Sequence, residues 1–480
     1  MVFSSSIFVF IFLPLVTFLY YISSKKIRNY ILLLSSFIFY ACSGISYLKI
    51  LIISILVNYI FGILIDSLGN REDNSKDNVK ANNYNKLKKL TLILGVVLNL
   101  ALLFYYKYYD FFIENFNIVF NSDIKFKNIV LPVGISFFTF QGMSYIIDIY
   151  RNDAKVNKNL FSVALYISLF PQLVAGPIVK YKSIDNEIRK RKETVDEFSY
   201  GIERFVIGLA KKVIIADMLG VVSDDIFALV STSGIDIMTA WLGAICYSLQ
   251  IYFDFSAYSD MAIGLGHFFG FRFTENFNYP YISKSITEFW RRWHISLSTW
   301  FKEYLYIPLG GNRRGNVYFN LFVVFLVTGL WHGAAWNFII WGLWHGLFII
   351  LERAIRDKNW YKNIPSIIKR FITLFIVLIG WVLFKAENFD VALKYLGIMF
   401  GLVKFNNITF EIYYFINAKT IFLIFVGMIS STPILKIFVS KYREKIWFGV
   451  IKNILIILLF IIALIFMINS TYSPFIYFQF

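Results

Sequence analysis

Four histidines are spread through 480 residues, and each can be weighed by its surroundings. His332 and His345 lie in VTGLWHGAAWNFIIWGLWHG, a strongly apolar run. A neutral imidazole there is suited to take a proton from a hydroxyl or to carry an acyl group. The two are 13 residues apart, which on one helix is roughly 20 Å of rise and about 220° of rotation. They are therefore not joint ligands of one metal. No H-x-x-x-H pair or carboxylate partner offers a zinc site either, and no metal is expected. A buried imidazole needs hydrogen-bond partners, and Asn337 and Thr328 are the nearby polar candidates. The residues alone leave open which of the two histidines does the work.

His294 lies in SITEFWRRWHISLSTWF. Ser285 with Glu288 three residues later has the form of a capping box and predicts a helix start. From there Ile286, Phe289, Trp290, Trp293, Leu297 and Trp300 recur at helical spacing, with Glu288, Arg291, Arg292 and Thr299 on the other face. The pattern predicts one amphipathic helix lying along a membrane surface or against a bundle. His294 falls at the edge of the apolar stripe, where it either faces a polar cavity or sits at the interface. His267, in GLGHFFG near a predicted helix end, reads as structural.

Other polar groups interrupt apolar stretches between Val130 and Gly346. LFPQLVAGPI has Pro171 and Pro177 around a short apolar core and predicts a re-entrant or broken helix, with Gln172 inside it. YFDFSAYSDMAIGLG carries Asp254 and Asp260, and acidic groups within a span are costly and usually functional. Irregular backbone at membrane depth is tolerated only inside protein or beside a water-filled cavity.

The elements that must position these groups are membrane helices. Hydrophobic residues make up 58% of the chain and aromatic ones 20%; only 16% are charged, against about 25% in soluble domains. Long, nearly charge-free runs recur from Ile7 to Ile468. With about 20 apolar residues needed per crossing, an all-α polytopic protein with roughly 10 to 13 transmembrane helices is expected. The first apolar run precedes Lys25, Lys26 and Arg28 and has no cleavage site after it, so it reads as a permanent span with the N-terminus outside. Other basic loops, at Arg71–Lys89, Lys180–Lys212, Arg313–Arg314, Arg353–Arg370 and Lys441–Lys452, are expected in the cytoplasm. The net charge of +17 is scattered over such loops and suits anionic lipid headgroups, not nucleic acid. Cys42 and Cys246 show no CxxC spacing and suggest neither disulfide nor redox chemistry. No internal repeat or appended soluble domain is evident, so residues 1–480 read as one membrane-embedded domain.

The strings EFWRRWHISLSTWFKEYLYIPLGGNRRG and GLWHGAAWNFIIWGLWHG resemble the membrane-bound O-acyltransferase family, in its bacterial alginate O-acetylase-like branch. PQLVAGPI and YFDFSAYSDMAIGLG resemble segments of the same branch, so the likeness covers at least residues 131–346. It implies a ring of spanning, re-entrant and in-plane helices around a central tunnel. His332 matches the family's defining histidine, His294 its more variable second position, and His345 a recurrent histidine of less settled role. The resemblance implies acetyl transfer from cytoplasmic acetyl-CoA, a donor substrate and not a bound cofactor. Lys284, Arg291, Arg292, Arg313 and Arg314 would hold its phosphates electrostatically. Pro171, Gln172, Asp254, Asp260 and Asn337 would line the donor path. It further implies a separate extracytoplasmic partner of the SGNH type, which would decorate a polysaccharide of the envelope. D-alanyl transfer to teichoic acid and peptidoglycan O-acetylation change the acyl group or the acceptor. A precursor transporter, from another class, would need internal repeats.

Overall fold

The computed structural model describes residues 1–232, 234–403, 405, 410–442 and 444–469. Arg443, inside the basic stretch Lys441–Lys452, lies outside the described residues. Helices account for nearly all the regular structure, and no β-strand occurs among the described residues. Among the described residues five helices are long and apolar enough to cross a membrane: Ile45–Asp73, Asn78–Phe120, Trp336–Ile355, Ser366–Lys385 and Ile446–Asn469. The pair Ala418–Ser430 and Ile434–Tyr442, bent by 62°, makes a sixth if counted as one span. Other apolar runs are less suited to a full crossing. Phe8–Ile22 and Val317–His332 are shorter than one crossing, and Ile237–Phe268 carries Asp254 and Asp260 in its middle.

The chain divides into two units, residues 1–205 with 261–274, and residues 206–260 with 275–480. In the first unit, Ile45–Asp73, Asn78–Leu103 and Ile135–Tyr150 pack together. Two buried amides join the first two helices: Asn58 and Asn99 exchange hydrogen bonds, each side-chain nitrogen donating to the other's oxygen at 3.0 Å. Gly142 admits them, since a Cβ there would stand 2.3 Å from Asn58 Nδ2. Polar side chains and small residues are the ordinary glue where lipid offers no hydrophobic drive between helices. The broken helix expected around Pro171 is present: Leu160–Ser168 stops at Leu169, and Phe170–Leu173 is a single turn before the chain leaves helical geometry.

In the second unit the two WHG strings form a hairpin of Val317–His332 and Trp336–Ile355. Glycine makes the approach possible. A Cβ on Gly329 would lie 2.5 Å from the Phe338 carbonyl oxygen, and one on Gly342 would lie 2.4 Å from that of Phe325. His332 is the last residue of the first helix, and Gly333 follows in extended geometry. The hairpin packs on Ser366–Lys385, which brings Trp381 and Phe384 to the same core.

Candidate active site

The stretch whose periodicity predicts one amphipathic helix is two, Ile286–Arg292 and Ile295–Phe301. Ser285 caps the first, its hydroxyl accepting from the Glu288 N–H at 3.0 Å. The Glu288 carboxylate reaches back one residue beyond the cap, to the Lys284 N–H at 2.9 Å. The break comes at Trp293 and at His294, whose φ of 43° and ψ of 54° are left-handed. A side chain in that region costs of order 1–3 kcal/mol unless its surroundings hold it. Asn276 does the holding. Its backbone carbonyl accepts from Ile295 N–H at 2.9 Å, and its side-chain oxygen accepts from Ser296 N–H at 3.1 Å and Ser296 Oγ at 2.9 Å. The amide groups that a continuous helix would bond internally are taken by a segment some 20 residues upstream.

The kink turns His294 inward rather than along an interface, and its side chain is fully buried. Its Nδ1 lies 3.1 Å from Asn276 Oδ1. The ring stands edge-on to Phe255, with centroids 4.6 Å apart, and 6.1 Å from Trp331. Burial pushes its pKa down to about 3, so the imidazole is neutral at pH 7.

His332 is 3% exposed and shares Trp331 with His294, its ring centroid 5.0 Å from that indole. Trp341 at 4.8 Å and Phe384 at 5.2 Å also stand edge-on to it. The other face of the cluster holds His345, 5.2 Å from Trp341 and 5.1 Å from Trp290. Neither His345 ring nitrogen has a hydrogen-bond partner among the described residues. Gly380 leaves space for it, as a Cβ there would stand 2.6 Å from His345 Nε2. Three histidines thus share one buried aromatic cluster in the second unit.

The polar partners suggested for the two WHG histidines serve the backbone instead. Asn337 Nδ2 donates to the Ala386 carbonyl at 2.8 Å, and Thr328 Oγ1 donates to the Val324 carbonyl at 2.7 Å. The acidic pair on Ile237–Phe268 is also engaged. Lys212 Nζ lies 2.6 Å from Asp254 and 2.7 Å from Asp217, all three side chains being 4% exposed or less. Lys211 binds Asp260 at 2.7 Å. These carboxylates neutralise two adjacent lysines in the π-helical turn Lys211–Ala216. Arg292 pairs with Glu288 at 2.9 Å and donates to the Asn278 carbonyl at 3.0 Å, which commits most of its fork to its own helix end. Lys284, Arg291, Arg313 and Arg314 are exposed. Pro171 and Gln172 are buried in the first unit, where Gln172 Nε2 donates to the Tyr166 carbonyl at 2.5 Å. His267, also in the first unit, bonds Glu197, which fits its structural reading. Lys212, read from the sequence as the end of the basic loop Lys180–Lys212, is instead buried in the turn Lys211–Ala216, and Asn276 and Asp217 went unremarked in the sequence.

An imidazole buried among aromatic rings can accept a proton from a hydroxyl while water is kept away. Residues 151–384, which include His294, His332, His345, Asn276 and the Lys212 ion pairs, match the model of the membrane-bound O-acyltransferase family. The chain is 42% identical to a "probable alginate O-acetylase" of Pseudomonas putida, with 100% of both chains covered. The chain belongs to the membrane-bound O-acyltransferase family. It is 36% identical to a peptidoglycan O-acetyltransferase of Helicobacter pylori, across 100% of this chain and 98% of that one. A teichoic acid D-alanyltransferase of Bacillus subtilis is 31% identical over 55% of this chain and 70% of its own. Family membership and the apolar helices make this a multi-pass membrane O-acyltransferase of the alginate O-acetylase-like branch.

Proposed function

We propose that this enzyme moves an acetyl group from cytoplasmic acetyl-CoA across the bacterial cell membrane for O-acetylation of an envelope or extracellular polysaccharide. The end-to-end likeness to an alginate O-acetylase carries the reading. The buried cluster supplies its chemistry. His332 takes the proton of the acceptor hydroxyl as that oxygen attacks the thioester carbon, and the CoA thiolate leaves and is reprotonated. In the alternative order, His332 Nε2 or Nδ1 first takes the acetyl group and then yields it to the hydroxyl. His294 assists at the same indole, Trp331. The CoA phosphates stay at the exposed cations Arg291, Arg313 and Arg314, because a polyanion does not enter the hydrocarbon core. An SGNH-type partner outside the membrane receives the acetyl group, and the N-terminus lies on that outer side.

The 36% identity to a peptidoglycan O-acetyltransferase favours one second reading, with peptidoglycan as acceptor. The test is acetate released by mild alkali from purified surface polysaccharide and from peptidoglycan, in cells with and without the gene. Loss from the polysaccharide supports the proposal; loss from peptidoglycan alone moves the acceptor; loss from neither overturns acetyl transfer.

A further inference from the structure

We propose that Asn276 is a positioning residue that fixes His294 in the tautomer carrying its proton on Nδ1, so that Nε2 keeps the lone pair. The argument starts from a group that can only donate. The Ser296 N–H is a donor, so the Asn276 side-chain atom 3.1 Å from it is the amide oxygen. This sets the amide orientation, which hydrogen-bond networks decide in general. The opposite end agrees, because Asn276 Nδ2 then donates to Ser259 Oγ at 3.0 Å. The same oxygen faces His294 Nδ1 at 3.1 Å. An amide oxygen has nothing to donate, so Nδ1 must carry the hydrogen, and a neutral imidazole has only one.

The amide has little freedom to turn. Its oxygen serves Ser296 N, Ser296 Oγ and His294 Nδ1, its nitrogen is tied to Ser259, and its own carbonyl holds Ile295 N–H. Asn276 is fully buried, so water does not compete. One residue therefore sets both the left-handed backbone of His294 and its proton position. The consequence for catalysis rests on the proposed role of His294: its acceptor nitrogen is Nε2.

The test is ¹⁵N-histidine solid-state NMR of the full chain in lipid vesicles, which separates protonated from bare ring nitrogens. With four histidines, His294→Ala assigns the ring by the signal it removes. The expected spectrum has Nδ1 protonated and Nε2 bare. Asn276→Asp, which keeps an oxygen at that place, should preserve this pattern, while Asn276→Ala should give a mixture or the other tautomer. A protonated Nε2 in the unaltered protein, or an unchanged signal in Asn276→Ala, overturns the proposal. If Asn276→Ala does not fold, the unaltered chain and Asn276→Asp still decide. In the acetyl-CoA assay Asn276→Ala should lower kcat roughly 10- to 100-fold, the usual cost of losing a partner that orients a functional histidine, with the donor KM little changed. Adding it to His294→Ala should cost nothing more. An active His294→Ala would refute the role of His294 but leave the tautomer to the spectrum.

Discussion

Replacing Lys212 by Met should destabilise the protein more than replacing either aspartate it binds. The Lys212 ammonium stands 2.6 Å from Asp254 and 2.7 Å from Asp217, and side-chain exposures are 1%, 2% and 4%. Removing this ammonium leaves two carboxylates facing each other in the interior. Breaking a buried pair from one side costs about 3–5 kcal/mol. Asp254→Asn or Asp217→Asn leaves Lys212 its other carboxylate, and the loss is about 1.5–3 kcal/mol, that of a hydrogen bond to a charged group. Against a stability of about 5–15 kcal/mol the difference is large. Lys212→Met combined with apolar residues at both aspartates should recover most of the loss, since an all-apolar replacement leaves no orphaned charge. The assay is thermal unfolding of the detergent-solubilised variants followed by size-exclusion fluorescence. If Lys212→Met melts no lower than Asp254→Asn, or the triple variant melts lowest of all, the ion-pair reasoning is refuted.

Gly380→Ala should destabilise by about 1–3 kcal/mol through overpacking, because its Cβ would press on His345 Nε2 at 2.6 Å; thermal unfolding of the variant checks this. Ser285→Ala should remove about 1 kcal/mol by uncapping Ile286–Arg292, read in the same way. In the first unit, burial raises the Glu197 pKa, but hydrogen bonds and charge from His267 and Arg272 outweigh it and hold the carboxyl below the usual range. A carboxylate whose folded pKa is depressed contributes stability above its unfolded pKa, about 4.3, and loses it as pH falls through the folded value. Glu197→Gln should therefore flatten the fall in melting temperature below about pH 4, and an unchanged acid limb would count against the pairing.

The helical, membrane-embedded character was legible because apolar runs are a local signal. So was the Ser285 cap, since its partner lies three residues away. The break at His294 was not legible. Ile286, Phe289, Trp293, Leu297 and Trp300 keep helical spacing straight through it, and the bonds that impose the kink come from Asn276. The roles of Asp254 and Asp260 were hidden in the same way, their lysines lying 42 and 49 residues earlier. Arg292 was readable in principle, as Glu288 precedes it by four residues, a spacing that pairs charges on a helix. The gathering of His294, His332 and His345 around shared indoles depends on how helices far apart in the chain pack, and no periodicity reports that.

The central claim is that His332 performs the acyl transfer, and release of CoA from acetyl-CoA by the purified protein, with its extracytoplasmic partner and acceptor supplied, tests it most directly. His332→Ala should fold, reach the membrane and lose roughly 10²- to 10⁴-fold in rate, the range for a missing general base. His332→Ala releasing CoA at the rate of the unaltered protein, or His345→Ala alone abolishing release, would contradict the account.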